Sequence, residues 1–287
     1  ASAAGQRAMT SSSSPGISLK QEGISYMVGA ELPGVVINVQ RGGPGLGDIS
    51  PAQGDYFQAT KGGGHGDYHL IVLAPDCVQE MYDFTRLAFD LADKYRTVAM
   101  VIADARVGQL MEPAVFRPAI PPRPAPGWAL TGAEGREKRI VRSFFLEAGL
   151  LPKHNEGLQR KFMAIREAEP RFEEIDLEDA DVVLVAYGTS SRVSKEAMRE
   201  ARGQGLKLGL LRPLTLWPFP DKAVRRWAEK GKPFLTVEMS AGQMVEDVRL
   251  AVEGRTAVAH CGRPGGVTPA TVEVIEAARR MRDAARR

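Results

Sequence analysis

Short apolar runs rich in β-branched residues alternate with amphipathic helical segments along this 287-residue chain. The runs are bounded by turn-forming residues, which is typical of short buried strands. They are residues 34–40, 70–73, 98–103, 182–186, 206–211 and 234–238. Strands that are apolar throughout occur in parallel sheets covered by helices. The alternation therefore predicts an α/β fold with parallel sheets.

A proline-rich segment separates two series of strands and helices. Six prolines lie from Pro113 to Pro126, which predicts a stiff, extended connector. Residues 136–174 are highly charged, and we expect a bridging helical arm with a possible break at Pro152. The chain is thus predicted to have three parts. They are a first α/β domain over residues 1–115, the connector and arm over 116–177, and a smaller second α/β domain over 178–287.

Composition and charge exclude several classes of protein. The net charge is only +3, and no apolar run approaches the ~20 residues that a membrane span needs. No secretory leader is visible, and the basic run at 279–287 lacks interleaved aromatic residues, so we interpret it as a solvated helix end. Two cysteines, Cys77 and Cys261, are too few for an iron–sulfur cluster, which needs about four. We expect a cytoplasmic protein that contacts neither membrane nor nucleic acid, with any clusters on another chain.

A serine-rich turn links a short strand predicted at residues 7–10, the first in the chain, to the first predicted helix. Residues 11–14 are all serine and are followed by Pro15 and Gly16. We call residues 11–16 the serine turn. Hydroxyls and free N–H groups at a helix N-terminus can cap the helix or hold a polar or anionic ligand. On this motif alone, plain capping is the favoured interpretation.

A glycine-rich loop that begins with Arg41 follows the second predicted strand. Its first seven residues read RGGPGLG, and the loop extends to about Tyr68, longer than an ordinary connection. Ligands of parallel α/β sheets bind beyond the carboxyl ends of the strands, and a guanidinium there suits a carboxylate. The alternative is a surface arginine on a flexible loop, which we consider weaker. The glycine spacing matches neither a dinucleotide fingerprint nor a P-loop.

The remaining polar motifs favour structural interpretations. On a strand, His65, Asp67 and His69 would share one face and could bind a metal, but exposed polar residues entering a strand are the simpler interpretation. We therefore predict no metal site in this chain. Residues 188–191 are interpreted as a helix cap, and Glu238 as a structural or interface carboxylate. No Ser/His/Asp or Cys/His set can be assembled.

Several of these motifs together resemble one family. They are TSSSSPGISL (10–19), NVQRGGPGLG (38–47), PAQGDYFQATKGGGHGDY (51–68), GQLMEP (108–113), RPLTLWPFP (212–220) and VEMSAGQMVEDVR (237–249). Over essentially the whole chain they resemble the alpha-type, pyrimidine-domain subunit of thiamin-diphosphate-dependent 2-oxoacid:ferredoxin oxidoreductases. Residues 51–68 and 108–113 resemble the branch that uses branched-chain 2-oxoacids such as 3-methyl-2-oxobutanoate.

The resemblance implies a fold, an activity and a set of site residues. It implies a pyrimidine domain of the thiamin-diphosphate-binding fold, followed by a smaller transketolase C-terminal-like α/β domain with a mainly structural role. The reaction would be oxidative decarboxylation of a 2-oxoacid to acyl-CoA and CO2, with electrons passed to ferredoxin. Arg41 would bind the substrate carboxylate, and Ser12, Ser13, Pro15 and Gly16 would lie against the aminopyrimidine ring.

The resemblance also implies partners. Thiamin diphosphate would be shared with a diphosphate-binding beta-type subunit, since residues 66–68 do not match the family's Gly-Asp-Gly…Asn pattern. Mg²⁺ and iron–sulfur clusters would lie on partner subunits, which include gamma-type and ferredoxin-like delta-type chains, and coenzyme A would be a co-substrate. The family's first strand, its Tyr-Pro-Ile-Thr-Pro-like loop and its activating glutamate do not precede Ala1, so we expect a pyrimidine domain that lacks its N-terminal section.

Three alternatives to this function stay open at this point. One is a member of the same family specific for 2-oxoglutarate or pyruvate. Another is a half-subunit of a non-redox thiamin enzyme, either a decarboxylase or a transketolase-like protein. The last is a scaffold or regulatory subunit without catalytic residues.

Overall fold

Two five-stranded sheets, each flanked by helices, are built from the residues that the computed structural model describes, 1–119 and 124–285. Each sheet is parallel except for one antiparallel edge strand. The predicted α/β fold with parallel sheets is therefore confirmed.

The first half of the chain supplies four strands and four helices. A short 3₁₀ turn at Ser2–Ala4 precedes them. The elements are β1 (Met9–Ser12), α1 (Pro15–Gly29), β2 (Gly34–Gln40), α2 (Tyr56–Thr60), β3 (Ile71–Leu73), α3 (Val78–Tyr95), β4 (Val98–Asp104) and α4 (Ala105–Gly108).

The second half supplies six strands and five helices in its described residues. The elements are α5 (Leu150–Ala168), β5 (Phe172–Ile175), β6 (Val182–Val185), α6 (Gly188–Gly203), β7 (Leu208–Pro213), β8 (Thr215–Trp217), α7 (Asp221–Glu229), β9 (Phe234–Glu238), α8 (Met244–Val252), β10 (Val258–Gly262) and α9 (Thr271–Ala285).

One of the two sheets contains strands from both halves of the chain. The first sheet has the order β1-β2-β4-β3-β8, and the second has the order β10-β9-β6-β7-β5. Strand β8 pairs antiparallel with β3, so the first sheet includes a strand from the second half. All residues of β4 and β6 are buried, as expected for central strands covered by helices on both faces.

The helical arm predicted over residues 136–174 is confirmed only in its central part. The helix is confined to Leu150–Ala168, residues 136–149 form neither helix nor strand, and β5 begins at Phe172. Pro152 does not break the helix, because it lies in the first turn, where its missing N–H would have no partner within the helix. The predicted first strand also shifts, from residues 7–10 to Met9–Ser12.

The proline-rich connector is only partly described. Pro121 and Pro122 lie outside the described residues, and residues 116–119 and 124–128 form neither helix nor strand. The division into residues 1–115, 116–177 and 178–287 stays a prediction. Among the described helices, none combines the length and the apolar character required to cross a membrane.

A buried arginine joins the two halves. Arg212 on β7 is 1% exposed, and its guanidinium pairs with Glu80 of α3, with Glu173 of β5 at 3.0 Å and with Asp76 at 3.4 Å. Burial would lower the pKa of Arg212, but these carboxylates hold it above its ordinary value. The guanidinium therefore stays charged and ties α3 to the second sheet.

Candidate functional site

The serine turn and Arg41 lie side by side at one edge of the first sheet. Strands β1 and β2 are parallel neighbours with Ser12 opposite Asn38, so both strands end at the same edge. The Arg41 backbone N–H donates a 3.1 Å hydrogen bond to the Ser14 hydroxyl. The two sequence motifs that were singled out for ligand binding therefore form one surface, beyond the carboxyl ends of the strands, where ligands of such sheets bind.

The serine turn has a strained backbone, and its hydroxyls do not cap α1. Ser14 has φ 26° and ψ −83°, an unusual conformation for a residue with a side chain, and it makes no side-chain cap bond to α1. A Cβ on Gly16 would lie 2.0 Å from the Ser12 Oγ, so any side chain at this position would displace the Ser12 hydroxyl. The interpretation of the turn as a plain helix cap is therefore wrong for its hydroxyls.

Two hydroxyls of the turn are available to a ligand. Ser12 and Ser13 are half-buried, and among the described residues neither hydroxyl has a hydrogen-bond partner. Pro15 occupies the first position of α1, where its missing N–H is not needed. The turn thus presents two free hydroxyls beside a rigid apolar ring.

Asp55 connects the turn to β2. One oxygen of its carboxylate, Oδ2, accepts hydrogen bonds from the Ser14 hydroxyl at 2.6 Å and from the Asn38 Nδ2 at 2.9 Å. The Asn38 Oδ1 accepts a 3.2 Å bond from the Ser14 N–H, and the Asp55 N–H donates to the Gln40 Oε1 at 3.1 Å. Asp55, Asn38 and Gln40 were not selected from the sequence. The available signal was the presence of two amide side chains near the end of an otherwise apolar strand.

Arg41 carries an uncompensated charge in the described structure. Its side chain is half-buried, its Nε is buried without a hydrogen-bond partner, and within residues 1–119 and 124–285 it forms no ion pair. The loop that follows is closed by hydrogen bonds from the Gly42 N–H to the Ser50 carbonyl at 2.9 Å and from the Asp48 N–H to the Gly42 carbonyl at 3.0 Å. Since a partly buried cation without a partner is costly, this guanidinium is poised to bind an anion.

The two histidines and the aspartate of residues 65–69 do not converge. His65 and Asp67 are exposed and precede β3, which begins only at Ile71. His69 stacks on Trp217, with ring centroids 4.5 Å apart, and burial lowers its pKa. These three side chains therefore do not share the face of a strand.

One other group of potential metal ligands exists in the described part of the chain. The ligand atoms of Asp76, Cys77 and Glu80 lie within 4.8 Å of one another. Both carboxylates already pair with Arg212, and burial raises the pKa of the Cys77 thiol. The group is accounted for by the contact between the halves.

Residues 188–191 and Glu238 have structural roles. The Thr189 N–H and the Ser191 hydroxyl donate to Asp104 and Asp76, respectively, each at 2.9 Å. Glu238 is buried and accepts bonds from the Ser240 hydroxyl and from three N–H groups at the start of α8. Burial would raise the pKa of Glu238, but a hydrogen bond from His260 and these N–H groups hold it below its ordinary value. Glu238 therefore caps α8 as a carboxylate.

Family models match most of the chain. A model described as the thiamine-diphosphate-binding domain of pyruvate flavodoxin/ferredoxin oxidoreductase matches residues 1–119. A model of pyruvate:ferredoxin oxidoreductase core domain II matches residues 180–274.

The names of similar proteins are consistent with these two family models. The chain is 51% identical over 286 residues to ketoisovalerate oxidoreductase subunit VorB of Methanothermobacter marburgensis, covering 99% of this chain and 80% of that protein. It is 36% identical to 2-oxoglutarate synthase subunit KorA of Methanothermobacter thermautotrophicus, covering 94% of this chain and 79% of that protein. A solved 2-oxoglutarate:ferredoxin oxidoreductase from Magnetococcus marinus, with 2-oxoglutarate, coenzyme A and succinyl-CoA bound, superposes with a TM-score of 0.81 at 24% identity, over 98% of this chain and 54% of that one.

The fold and the matched models define the class of protein. It is an oxidoreductase subunit whose first sheet has the thiamin-diphosphate-binding fold. The relatives narrow the class further. The chain belongs to the 2-oxoacid:ferredoxin oxidoreductases and is a subunit of the alpha type, as the sequence motifs implied. Its relatives are named as subunits, so it functions with partner chains.

Proposed function

We propose that this subunit supplies the pyrimidine-side wall and the carboxylate-binding arginine of a thiamin diphosphate site. The enzyme would convert a branched-chain 2-oxoacid and coenzyme A to acyl-CoA and CO2, with release of a proton and transfer of two electrons to oxidised ferredoxin. The observation that carries the proposal is the unpaired Arg41 guanidinium, whose backbone N–H is bonded to the serine turn. A 2-oxoacid offers the carboxylate that such a guanidinium can bind with two parallel hydrogen bonds.

The serine turn fits the pyrimidine half of the coenzyme. Ser12 and Ser13 offer free hydroxyls for polar ring atoms, and Pro15 offers an apolar surface for the ring face. The tight packing at Gly16 fixes the turn against Ser12. When bound, the thiazolium would supply an electron sink for the decarboxylation. The residues of this chain would orient the ring, hold the substrate carboxylate and exclude water.

The remaining chemistry is assigned to partner subunits. Cys77 and Cys261 are both free thiols whose pKa is raised by burial, and together they are too few for a cluster of about four ligands. We propose that a beta-type subunit binds the diphosphate and Mg²⁺, and that ferredoxin-like delta-type and gamma-type subunits complete the enzyme. Ferredoxin would be the electron acceptor and coenzyme A the co-substrate.

The branched-chain substrate is favoured by the relatives. Identity is 51% to a ketoisovalerate oxidoreductase subunit but 36% to a 2-oxoglutarate synthase subunit. Ketoisovalerate is 3-methyl-2-oxobutanoate, whose side chain is small, branched and apolar. 2-Oxoglutarate carries a second carboxylate, so its site needs a further polar or cationic partner.

The test is an assay of the assembled enzyme. The chain is co-expressed with its partner subunits, and viologen reduction is measured with thiamin diphosphate, coenzyme A and each of three substrates. We expect kcat/KM for 3-methyl-2-oxobutanoate to exceed the values for 2-oxoglutarate and pyruvate. Preference for 2-oxoglutarate or pyruvate would overturn the substrate assignment. Turnover that needs no iron–sulfur subunit would indicate a non-redox thiamin enzyme instead.

The role of Arg41 is tested in the same assay. Arg41→Ala should reduce kcat/KM by about 100-fold, since loss of a charge-assisted pair costs roughly 2–3 kcal/mol. Arg41→Lys keeps the charge but loses the planar fork, so it should retain intermediate activity. Arg282→Ala removes an arginine near the end of α9 and is the control. A fully active Arg41→Ala enzyme would contradict the assignment and favour a scaffold role.

A further inference from the structure

The segment that contains Asp55 is held from one side by the second half of the chain. We call residues 53–57 the clamp segment. The Gln53 backbone N–H donates to the Met239 carbonyl at 2.8 Å, and its Nε2 donates to the Tyr187 carbonyl at 2.8 Å. The Gln53 Oε1 accepts from the Ser190 hydroxyl at 2.8 Å. Gln53 is fully buried, so it is fixed by α6 and by the residues that follow β6 and β9.

Three further hydrogen bonds extend this attachment to the other end of the clamp segment. The Gln243 side chain donates to the Gly54 carbonyl at 2.7 Å and accepts from the Phe57 N–H at 2.8 Å. The buried Tyr56 hydroxyl donates to Asp247 at 2.6 Å. The second half therefore fixes the backbone immediately before and after Asp55.

The Asp55 side chain makes its contacts on the other side, with the serine turn and β2. Its Oδ2 accepts from the Ser14 hydroxyl and from Asn38, and the Ser14 hydroxyl in turn accepts from the Arg41 N–H. Ser14 has the left-handed φ of 26°, a conformation that persists only where the surroundings hold it. Asp55 is the acceptor that fixes the direction of the Ser14 hydroxyl, because a hydroxyl that donates to Asp55 presents its lone pairs to Arg41.

We infer that Asp55 is a positioning residue of the substrate site, and that it transmits the position of the second half to Arg41 through Ser14. This inference rests on the proposed role of Arg41. Asp55 reaches Arg41 through Ser14, whose hydroxyl bridges the carboxylate and the Arg41 N–H. Without Asp55, the Ser14 hydroxyl has no fixed direction, its strained backbone relaxes, and the Arg41 N–H no longer has an acceptor in a fixed position. The guanidinium then samples several positions at the sheet edge.

The inference is tested with a double-mutant cycle in the assembled enzyme at saturating thiamin diphosphate. We measure KM for 3-methyl-2-oxobutanoate and kcat/KM for Asp55→Ala, Arg41→Ala and the double variant. Asp55→Ala should lower kcat/KM about tenfold, mainly by raising KM, and the double variant should match Arg41→Ala within about twofold, since two residues that act as one unit are not additive. Asp55→Asn keeps an oxygen that can accept both hydrogen bonds and should restore most of the activity.

Control variants separate positioning from folding. Asp283→Ala removes an exposed carboxylate on α9 and should leave KM unchanged. Ser14→Ala removes the bridging hydroxyl while Asp55 and Asn38 keep each other, so it should raise KM even if Asp55→Ala fails to assemble.

The outcomes distinguish this inference from the proposed function. If Arg41→Ala is impaired while Asp55→Ala and Ser14→Ala keep the parental KM, only the inference is overturned. The same follows if the effects of Asp55→Ala and Arg41→Ala multiply in the double variant. If Arg41→Ala itself has the parental KM, the proposed role of Arg41 fails and the inference fails with it.

Discussion

Asp104, the last residue of β4, accepts hydrogen bonds from both the backbone N–H and the hydroxyl of Thr189, the second residue of α6, at 2.9 and 2.7 Å. The same carboxylate also caps α4 through the Arg106 and Val107 N–H groups. A single side chain at the end of the first sheet thus holds the first turn of a helix that covers the second. The contact is buried, so water cannot readily take the place of either hydrogen-bonding partner.

This contact predicts a stability effect for Thr189→Val. The substitution keeps the shape of the side chain but removes the hydroxyl, which leaves Asp104 with one hydrogen bond fewer in a buried site. The free energy of unfolding should fall by about 1–3 kcal/mol, measured by urea denaturation. Thr131→Val, at an exposed position, is the matched control and should change it by less than about 0.5 kcal/mol. Equal effects of the two substitutions would contradict this role of Asp104 and Thr189.

Removal of the buried Arg212 guanidinium should lower the free energy of unfolding by more than Thr189→Val does. Arg212→Ala leaves Asp76 and Glu80 close together without their shared cation, so the free energy of unfolding should fall by about 3–5 kcal/mol. Arg199→Ala breaks an exposed pair with Glu196 on α6 and should cost less than about 1 kcal/mol. Thermal and urea unfolding of both variants check this. A cost for Arg212→Ala as small as that of Arg199→Ala would show that the network does not hold the halves together.

Two glycines of α1 offer a matched pair of substitutions. A Cβ at Gly16 meets the Ser12 Oγ at 2.0 Å, whereas a Cβ at Gly23 meets nothing within 4 Å. Gly16→Ala should displace Ser12 and weaken thiamin diphosphate binding by about tenfold or more, a loss of roughly 1.4 kcal/mol. Gly23→Ala should leave binding unchanged and stabilise the helix by about 0.5–1 kcal/mol. Titration of the cofactor into the assembled enzyme measures both, and unaltered affinity for Gly16→Ala would argue against the turn as part of the site.

The lowered pKa of Glu238 predicts that the free energy of unfolding depends on pH. Because its pKa in the folded state lies below the ordinary value of 4.5, its contribution is complete above that pH and is lost as the pH falls through the folded-state value. Glu238→Gln should therefore destabilise the protein at pH 7, and the difference from the parent should shrink as the solution is acidified below about pH 4.5. Urea unfolding as a function of pH measures the difference. Glu276→Gln, on the exposed face of α9, should show no such convergence.

The sequence predicts those parts of the fold that depend on local pattern. Strand β2 and strand β9 have the predicted bounds, because each is a short apolar run between turn-forming residues. Strand β8 was missed since it has only three residues, follows Pro213 and precedes Pro218, and exists through pairing with β3. That pairing is a long-range contact, and no local pattern reports it.

The candidate site was predictable to a similar extent. Arg41 was selected because it follows a strand at the sheet edge where ligands bind. The serine turn was assigned to the site only through the family resemblance, since its motif alone favoured plain capping. Asp55 lies in the middle of a long loop and has no distinctive spacing. Its importance comes from the chain folding back so that it reaches Ser14 and Asn38 together, which requires the tertiary structure.

The placement of β8 has a consequence for dividing this polypeptide. A fragment ending before residue 150 would leave the backbone donors and acceptors on one side of β3 without their neighbour, and exposed strand edges of this kind recruit other chains. A strand from the second half of the chain thus completes the first sheet, so the two sheets are not formed by two separate, consecutive stretches of the chain. Either half expressed by itself should aggregate, whereas the two co-expressed as separate pieces should reassociate by restoring the missing strand.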